Sequence, residues 1–135
     1  MTPVPELTVQ TRRRTQLLDV TDEVRALLGG DAGSLLTLFV PHTTAGVVVQ
    51  AAGEGAAAVA GDVAGALERL VEEDAPWGHV HEGDRNPWAH VRAALTASSV
   101  SIPLEDGQPA LGAHQAIFLA EFDGPRERTI RIVVT

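Results

Sequence analysis

Residues 79–90 read HVHEGDRNPWAH and place three of the chain's five histidines within twelve positions, with Glu82, Asp84 and Asn86 between them. Histidine is the commonest metal ligand and the side chain that titrates nearest neutrality. His79 and His81 are two apart, so an extended backbone points both imidazoles to one face. His90, at the start of a predicted helix, can come back to meet them. A further histidine, His42, lies in PHTT (41–44), where the hydroxyls of Thr43 and Thr44 can fix its ring tautomer. With Asp84 as a carboxylate, these residues offer enough nitrogen and oxygen donors for zinc, magnesium or another divalent ion. The spacing matches none of the tight zinc signatures, such as two histidines four apart on a helix with a glutamate. The competing reading is a solvated surface loop, although loops also carry function.

A second chemical segment is EFDGPRER (121–128). An Asp-Gly-Pro turn with its charges in water is the simpler account. The functional account takes Arg126 as a planar fork for phosphate or carboxylate and Glu121 as acid, base or ligand at a strand end. Ser98 and Ser99 lack the Gly-x-Ser-x-Gly setting of a nucleophile, and no glycine-rich phosphate loop is present.

The elements that must position these groups read as one domain. The chain has 135 residues, enough for a single ordinary core, with 44% apolar and only 4% aromatic residues, so Val, Leu, Ile and Ala must build it. Residues 6–20 read as two strand segments joined near Arg12-Arg13-Arg14. Thr21 is placed to cap a short helix that ends at Gly29-Gly30. SLLTLFV (34–40) and AGVVVQ (45–50) are apolar strands expected in the middle of a sheet. Residues 54–73 carry Val59, Val63, Leu67, Leu70 and Val71 at helical spacing. Asn86-Pro87 opens another helix, WAHVRAAL, with asparagine suited to the cap and proline to the first turn. Strands follow at 99–104, 115–122 and 128–135, the last two joined by Asp123-Gly124-Pro125. The sum is a single α+β domain over residues 1–135, with a large, mainly antiparallel sheet packed by two or three helices.

Composition excludes whole classes of function. The formal charge is −8 and there is no lysine, so Schiff-base chemistry is out and phosphate backbones are repelled at long range. There is no cysteine, which removes disulfides, thiolate nucleophiles and zinc–thiolate centres. No signal pattern and no long apolar run is present, so the expected location is the cytoplasm, with neither nucleic acid nor membrane as partner.

FVPHTTAGVVVQ (39–50), EGDRNPWAHVRAAL (82–95) and SSVSIPLEDGQPALGAHQAIFLAEFDGPRER (98–128) together resemble the YjbQ-like family, small bacterial and archaeal proteins of poorly settled function. The resemblance implies an α+β fold, a compact homotrimer, and a label often attached to members, secondary thiamine-phosphate synthase. It also implies a polar cluster at His42, Thr43, Thr44, His79, Asp84, Asn86, His90, Gln115, Glu121 and Arg126. Within it, His42, His79 and His90 stand as metal ligands, with His79 preferred to His81 from the family's spacing. Glu121, Arg126, Asp84 and Asn86 stand as catalytic groups, and Thr43, Thr44, Gln115 and Arg126 as binders of substrate. Three departures from the family pattern bear on activity: Gln50-Ala51 replaces Asn-Glu, His114 replaces a tryptophan, and Arg85 replaces a glycine.

Three functions follow as expectations. One is a thiamine-phosphate synthase-like enzyme acting on small phosphorylated substrates through a histidine-rich, metal-binding pocket. Another is a metal-dependent hydrolase or lyase of a small anionic substrate, with Glu121 or Asp84 as base. The third is a non-catalytic trimeric protein that binds a metal or metabolite, a reading favoured by the carboxylate missing at Ala51.

Overall fold

The run QAIFLAE near the C-terminus is apolar at successive positions, a pattern that suits a strand covered on both faces. In the computed structural model, which describes residues 5–30, 33–78 and 86–135, it is the central strand of one of two sheets. The elements run β1 (Glu6–Gln10), β2 (Gln16–Asp19), α1 (Thr21–Leu27), β3 (Leu35–Phe39), β4 (Ala45–Ala51), α2 (Ala57–Leu70), α3 (Pro87–Ala94), β5 (Ser99–Glu105), β6 (Gln108–Pro109), β7 (Gln115–Glu121) and β8 (Glu127–Val134). The sheets have orders β1-β8-β3-β5-β6 and β2-β7-β4. Every pairing is antiparallel. The expected α+β domain is present, with its strands divided between two sheets.

Alternation along β7 explains the layers. Ile117 and Leu119 enter a core shared with Leu36 and Leu38 of β3, Ile130 and Ile132 of β8, and Val24 of α1. Ala116, Phe118 and Ala120 point the other way, beneath the helices, with Ala64, Trp88 and Ala93. Each buried aliphatic side chain here contributes roughly 1.5–3 kcal/mol relative to exposure. Strand β3 lies mid-sheet as its apolar run predicts. Strand β4 is at the end of its sheet, yet Val47 N–H donates to Ala97 O at 2.8 Å and so satisfies an edge group. Gly46 permits that approach, since a Cβ there would lie 2.1 Å from Thr96 Oγ1 and 2.7 Å from Ala97 O.

Helix boundaries differ from the sequence expectation for local reasons. Helix α2 starts at Ala57 because Gly53 and Gly55 both have positive φ. Thr21 is the first residue of α1, not its cap. Its hydroxyl donates to Asp19 Oδ1 at 2.7 Å and accepts from Ile117 N–H at 2.8 Å, tying the helix to β7. Asn86 does precede Pro87 at the start of α3, but its side chain makes no capping bond. The β5–β6 hairpin, which sequence reading passed over, turns on Asp106 and Gly107, both at positive φ.

Candidate functional site

Three separate segments converge at one end of the sheets. The turn between β3 and β4 brings His42, Thr43 and Thr44; the start of α3 brings Asn86 and His90; the β7–β8 turn and the strand after it bring Asp123, Arg126 and Arg128. These residues line a polar pocket of about 440 Å³. The sequence placed His42 and His90 together, and the fold does so. His79, Asp84, and with them His81 and Arg85, lie outside the described residues.

Behind the pocket sits an ion pair that alternation along two strands creates. Glu121 continues the inward-facing series Ile117, Leu119, while Arg128 begins the inward series Arg128, Ile130, Ile132. Glu121 is 0% and Arg128 4% exposed. Arg128 Nε donates to Glu121 Oε1 at 2.8 Å, Nη2 bonds Glu121 Oε2, and Nη2 also reaches Thr44 Oγ1 at 2.8 Å. Thr11 Oγ1 donates to Glu121 Oε1 at 2.7 Å, and the N–H groups of Phe122 and Asp123 donate to Oε2 at 3.0 and 3.1 Å. Glu121 therefore uses its acceptor capacity to hold the scaffold. Arg128 is the residue that the sequence analysis missed; its register with Ile130 and Ile132, facing Glu121 across the turn, was the available signal.

The turn itself is clamped. Gly124 N–H donates to Arg14 O at 3.1 Å, and a Cβ on Gly124 would lie 2.1 Å from Arg13 O, so only glycine fits. The Gly124–Pro125 peptide is cis. Arg126 Nε donates to Asp123 O at 2.7 Å and Nη2 to Asp123 Oδ2 at 2.8 Å. With its side chain 54% exposed, Arg126 retains Nη1 as a donor without a protein partner among the described residues. Asn86 Nδ2 also donates to Asp123 Oδ2, at 2.7 Å, leaving Asn86 Oδ1 buried with no donor among the described residues. Gln115 is elsewhere. It pairs with Ala51 at the opposite end of β7, about 20 Å from Glu121 along the strand at 3.3 Å per residue. Its Oε1 accepts from Gly112 N–H at 2.8 Å. Two of the departures from the family pattern, Ala51 and His114, fall at that same far end and leave this pocket's walls unchanged.

Thr129 N–H donates to His42 Nε2 at 3.0 Å. A backbone amide can only donate, so Nε2 presents its lone pair and the neutral ring carries its proton on Nδ1. That commitment removes Nε2 as a metal donor. Among the described residues no cluster of three His, Asp or Glu side chains could hold a metal ion. Of the expected ligand set His42, His79 and His90, His79 lies outside the described residues.

Burial holds the His42 pKa below its ordinary 6.5; Arg128 adds to the lowering and Glu121 opposes it. A depressed histidine pKa contributes stability that is present above the unfolded value and is lost as pH falls through the folded one. Thermal unfolding of the wild type should therefore show Tm falling between about pH 7.5 and 5.5, with a shallower fall in His42→Gln. Parallel curves for the two proteins would remove His42 as the source.

Residues 5–135 match the family model described as UPF0047 protein YjbQ-like. The chain belongs to that family. It is 38% identical to a UPF0047 protein of Archaeoglobus fulgidus over 93% of this chain and 95% of the relative. Among solved structures, a hypothetical protein from Aeropyrum pernix superposes with a TM-score of 0.88 at 36% identity, covering 99% of this chain and 98% of that one. A conserved hypothetical protein from Thermus thermophilus gives 0.87, also at 36% identity, over 98% and 100% of the two chains. The UPF0047 fold thus extends over nearly the whole chain. No helix among its described residues is long and apolar enough to cross a membrane.

Proposed function

We propose that this UPF0047 protein is an enzyme that binds a small phosphorylated substrate in the pocket between His42, His90 and Arg126, with chemistry of the thiamine-phosphate synthase type. The observation that carries the reading is the set of donors around one polar cavity. Arg126 offers Nη1, Thr43 a hydroxyl that has no partner among the described residues, and neutral His42 its Nδ1–H. Arg128 and Glu121 cancel each other's charge, as Arg126 and Asp123 nearly do, so the pocket selects by directed hydrogen bonds more than by net charge. In the proposed reaction a thiazole-phosphate nitrogen displaces pyrophosphate from a pyrimidine methyl pyrophosphate. Donors fixed before the reaction stabilise the charge that develops on the departing pyrophosphate. Glu121 acts here as a positioning residue through Arg128.

Calorimetry with inorganic phosphate tests the pocket, and pyrophosphate release from the two substrates tests the reaction. Arg126→Ala should weaken phosphate binding about tenfold, equivalent to roughly 1.4 kcal/mol, and should slow pyrophosphate release at least in proportion. Equal binding by wild type and variant would sink the pocket assignment. Saturable binding with no pyrophosphate release would reduce the protein to a metabolite-binding one.

A further inference from the structure

A second cavity, of about 550 Å³, opens beside the polar pocket, and His42, Thr43 and His90 form the wall common to both. The two differ in chemistry. The polar pocket has Asp123, Arg126 and Arg128 in its lining; beyond the two histidines, the neighbouring cleft has no ionisable side chain among the described residues. Its remaining lining is alanine, threonine and serine, contributed by the start of β4, the end of α3 and the segment 96–99 that leads into β5. The hydroxyls of Ser98, Ser99 and Thr43 have no hydrogen-bond partner among the described residues.

The cleft is held open by its framework. Val47 N–H is bonded to Ala97 O, and Gly46 lets β4 approach Thr96 and Ala97 so closely that the floor cannot move inward. Thr96 Oγ1 donates to Ala93 O at 2.7 Å and fixes the last turn of α3 to that floor. Methyl groups at 45, 93, 94 and 97, where a larger apolar side chain would fill the space, leave a volume in the range of small-molecule sites.

We infer that the ligand has two parts: an anionic end held by Arg126 and a neutral, hydrogen-bonding body that occupies the alanine- and serine-lined cleft, with His42 and His90 flanking the junction. The ligand class is a phosphate ester with an uncharged polar body, rather than a free phosphate or a compound charged at both ends. This inference rests on the anion-binding reading of the polar pocket and extends it. A charged group in the cleft would leave water without gaining a counter-ion, whereas a hydroxylated or carbonyl-bearing body finds donors and acceptors on Thr43, Ser98 and Ser99.

The test is isothermal titration of the full chain with inorganic phosphate, glycerol 3-phosphate, ribose 5-phosphate and phenyl phosphate, repeated on Ala94→Leu. Ala94 is exposed at the end of α3, so leucine is tolerated by the fold while it fills the cleft. Ser99→Val narrows the same cleft from the facing wall and replaces Ala94→Leu should that variant fail to fold. Glycerol 3-phosphate or ribose 5-phosphate should bind wild type tenfold or more tighter than phosphate, and phenyl phosphate, whose body has no hydrogen-bonding group, should not. The cleft variant should lose that advantage yet keep its affinity for phosphate. Neither of the first two exceeding phosphate, phenyl phosphate matching them, or an advantage that survives in the cleft variant, overturns the inference. Ester binding that the variant abolishes, with phosphate itself not bound, overturns the anion reading and keeps the cleft as the site. If none of the four compounds binds, both fall.

Discussion

Glu121→Gln is expected to cost about 3–5 kcal/mol of unfolding free energy, the usual penalty for leaving one partner of a buried ion pair alone. The replacement preserves shape and removes charge. Both carboxylate oxygens now accept: Oε1 from Thr11 and Arg128, Oε2 from Arg128 and two backbone N–H groups. An amide nitrogen in place of either oxygen turns an acceptor into a donor facing donors, and Arg128, 4% exposed, keeps its charge with no counter-ion. Against a typical domain stability of roughly 5–15 kcal/mol, this is a large fraction. Thr11→Val, which removes one of the bonds to Oε1 and the acceptor of the Arg126 N–H, should cost less, about 1–3 kcal/mol. Urea unfolding of the two variants measures the ratio, and comparable small losses in both would mean that the pair contributes little. Replacing both partners together, Glu121→Leu with Arg128→Met, should recover much of the stability. The double variant should still lose phosphate binding, because Thr44 and the turn behind His42 then lack the Arg128 contacts.

How much of this was legible in the sequence depends on the kind of signal. Short apolar segments gave β3, β7 and β8 to within a residue or two, and Asn86-Pro87 marked the start of α3 because proline's missing N–H costs nothing there. Such segments do not say which strands share a sheet. That is set by pairings far apart in the chain, such as Ala45 with Glu121 and Leu36 with Val134, so the division into two sheets was not legible. Within the site, His42 and His90 were found by residue type. Glu121 was found by type as well, but type does not record which lone pairs the scaffold has already taken. Arg128 stood two residues from Arg126, and only its register with Ile130 distinguishes the buried arginine from the half-exposed one. Asn86 looked like a helix cap, yet a longer-range partner, Asp123, takes its side chain.

Arg92→Met should cost about 2–4 kcal/mol, although methionine keeps most of the stem's packing. Arg92 lies in WAHVRAAL, where a helical arginine normally faces water; here it is 2% exposed. Its Nε and Nη2 donate to Val71 O at 3.0 and 2.7 Å, at the C-terminal end of α2, where the last carbonyls of a helix lack internal partners. The cation also meets the negative end of the α2 dipole and stacks 5.0 Å from the Trp88 ring centroid, one turn earlier on its own helix. Leaving a buried carbonyl without its donor costs roughly 1–3 kcal/mol, and the lost ring contact adds about 0.5–2 kcal/mol. Burial lowers the Arg92 pKa, with Arg14 adding to it while Glu68 and Glu73 oppose it. Lysine is a poor substitute: a single ammonium cannot span Val71 O and Thr15 Oγ1 as the fork does, so Arg92→Lys should fall between wild type and methionine. The consequence reaches the site because His90 is two residues away on the same short helix, with Ala93 and Ala94 beyond. A helix α3 released from α2 loses the fixed placement of His90 against His42. Both Arg92 variants should therefore weaken phosphate binding in step with their stability, whereas Leu70→Ser, at an exposed position on α2, should change neither. Unfolding of Arg92→Met within about 1 kcal/mol of wild type would show that other contacts, and not this guanidinium, hold α3 in place.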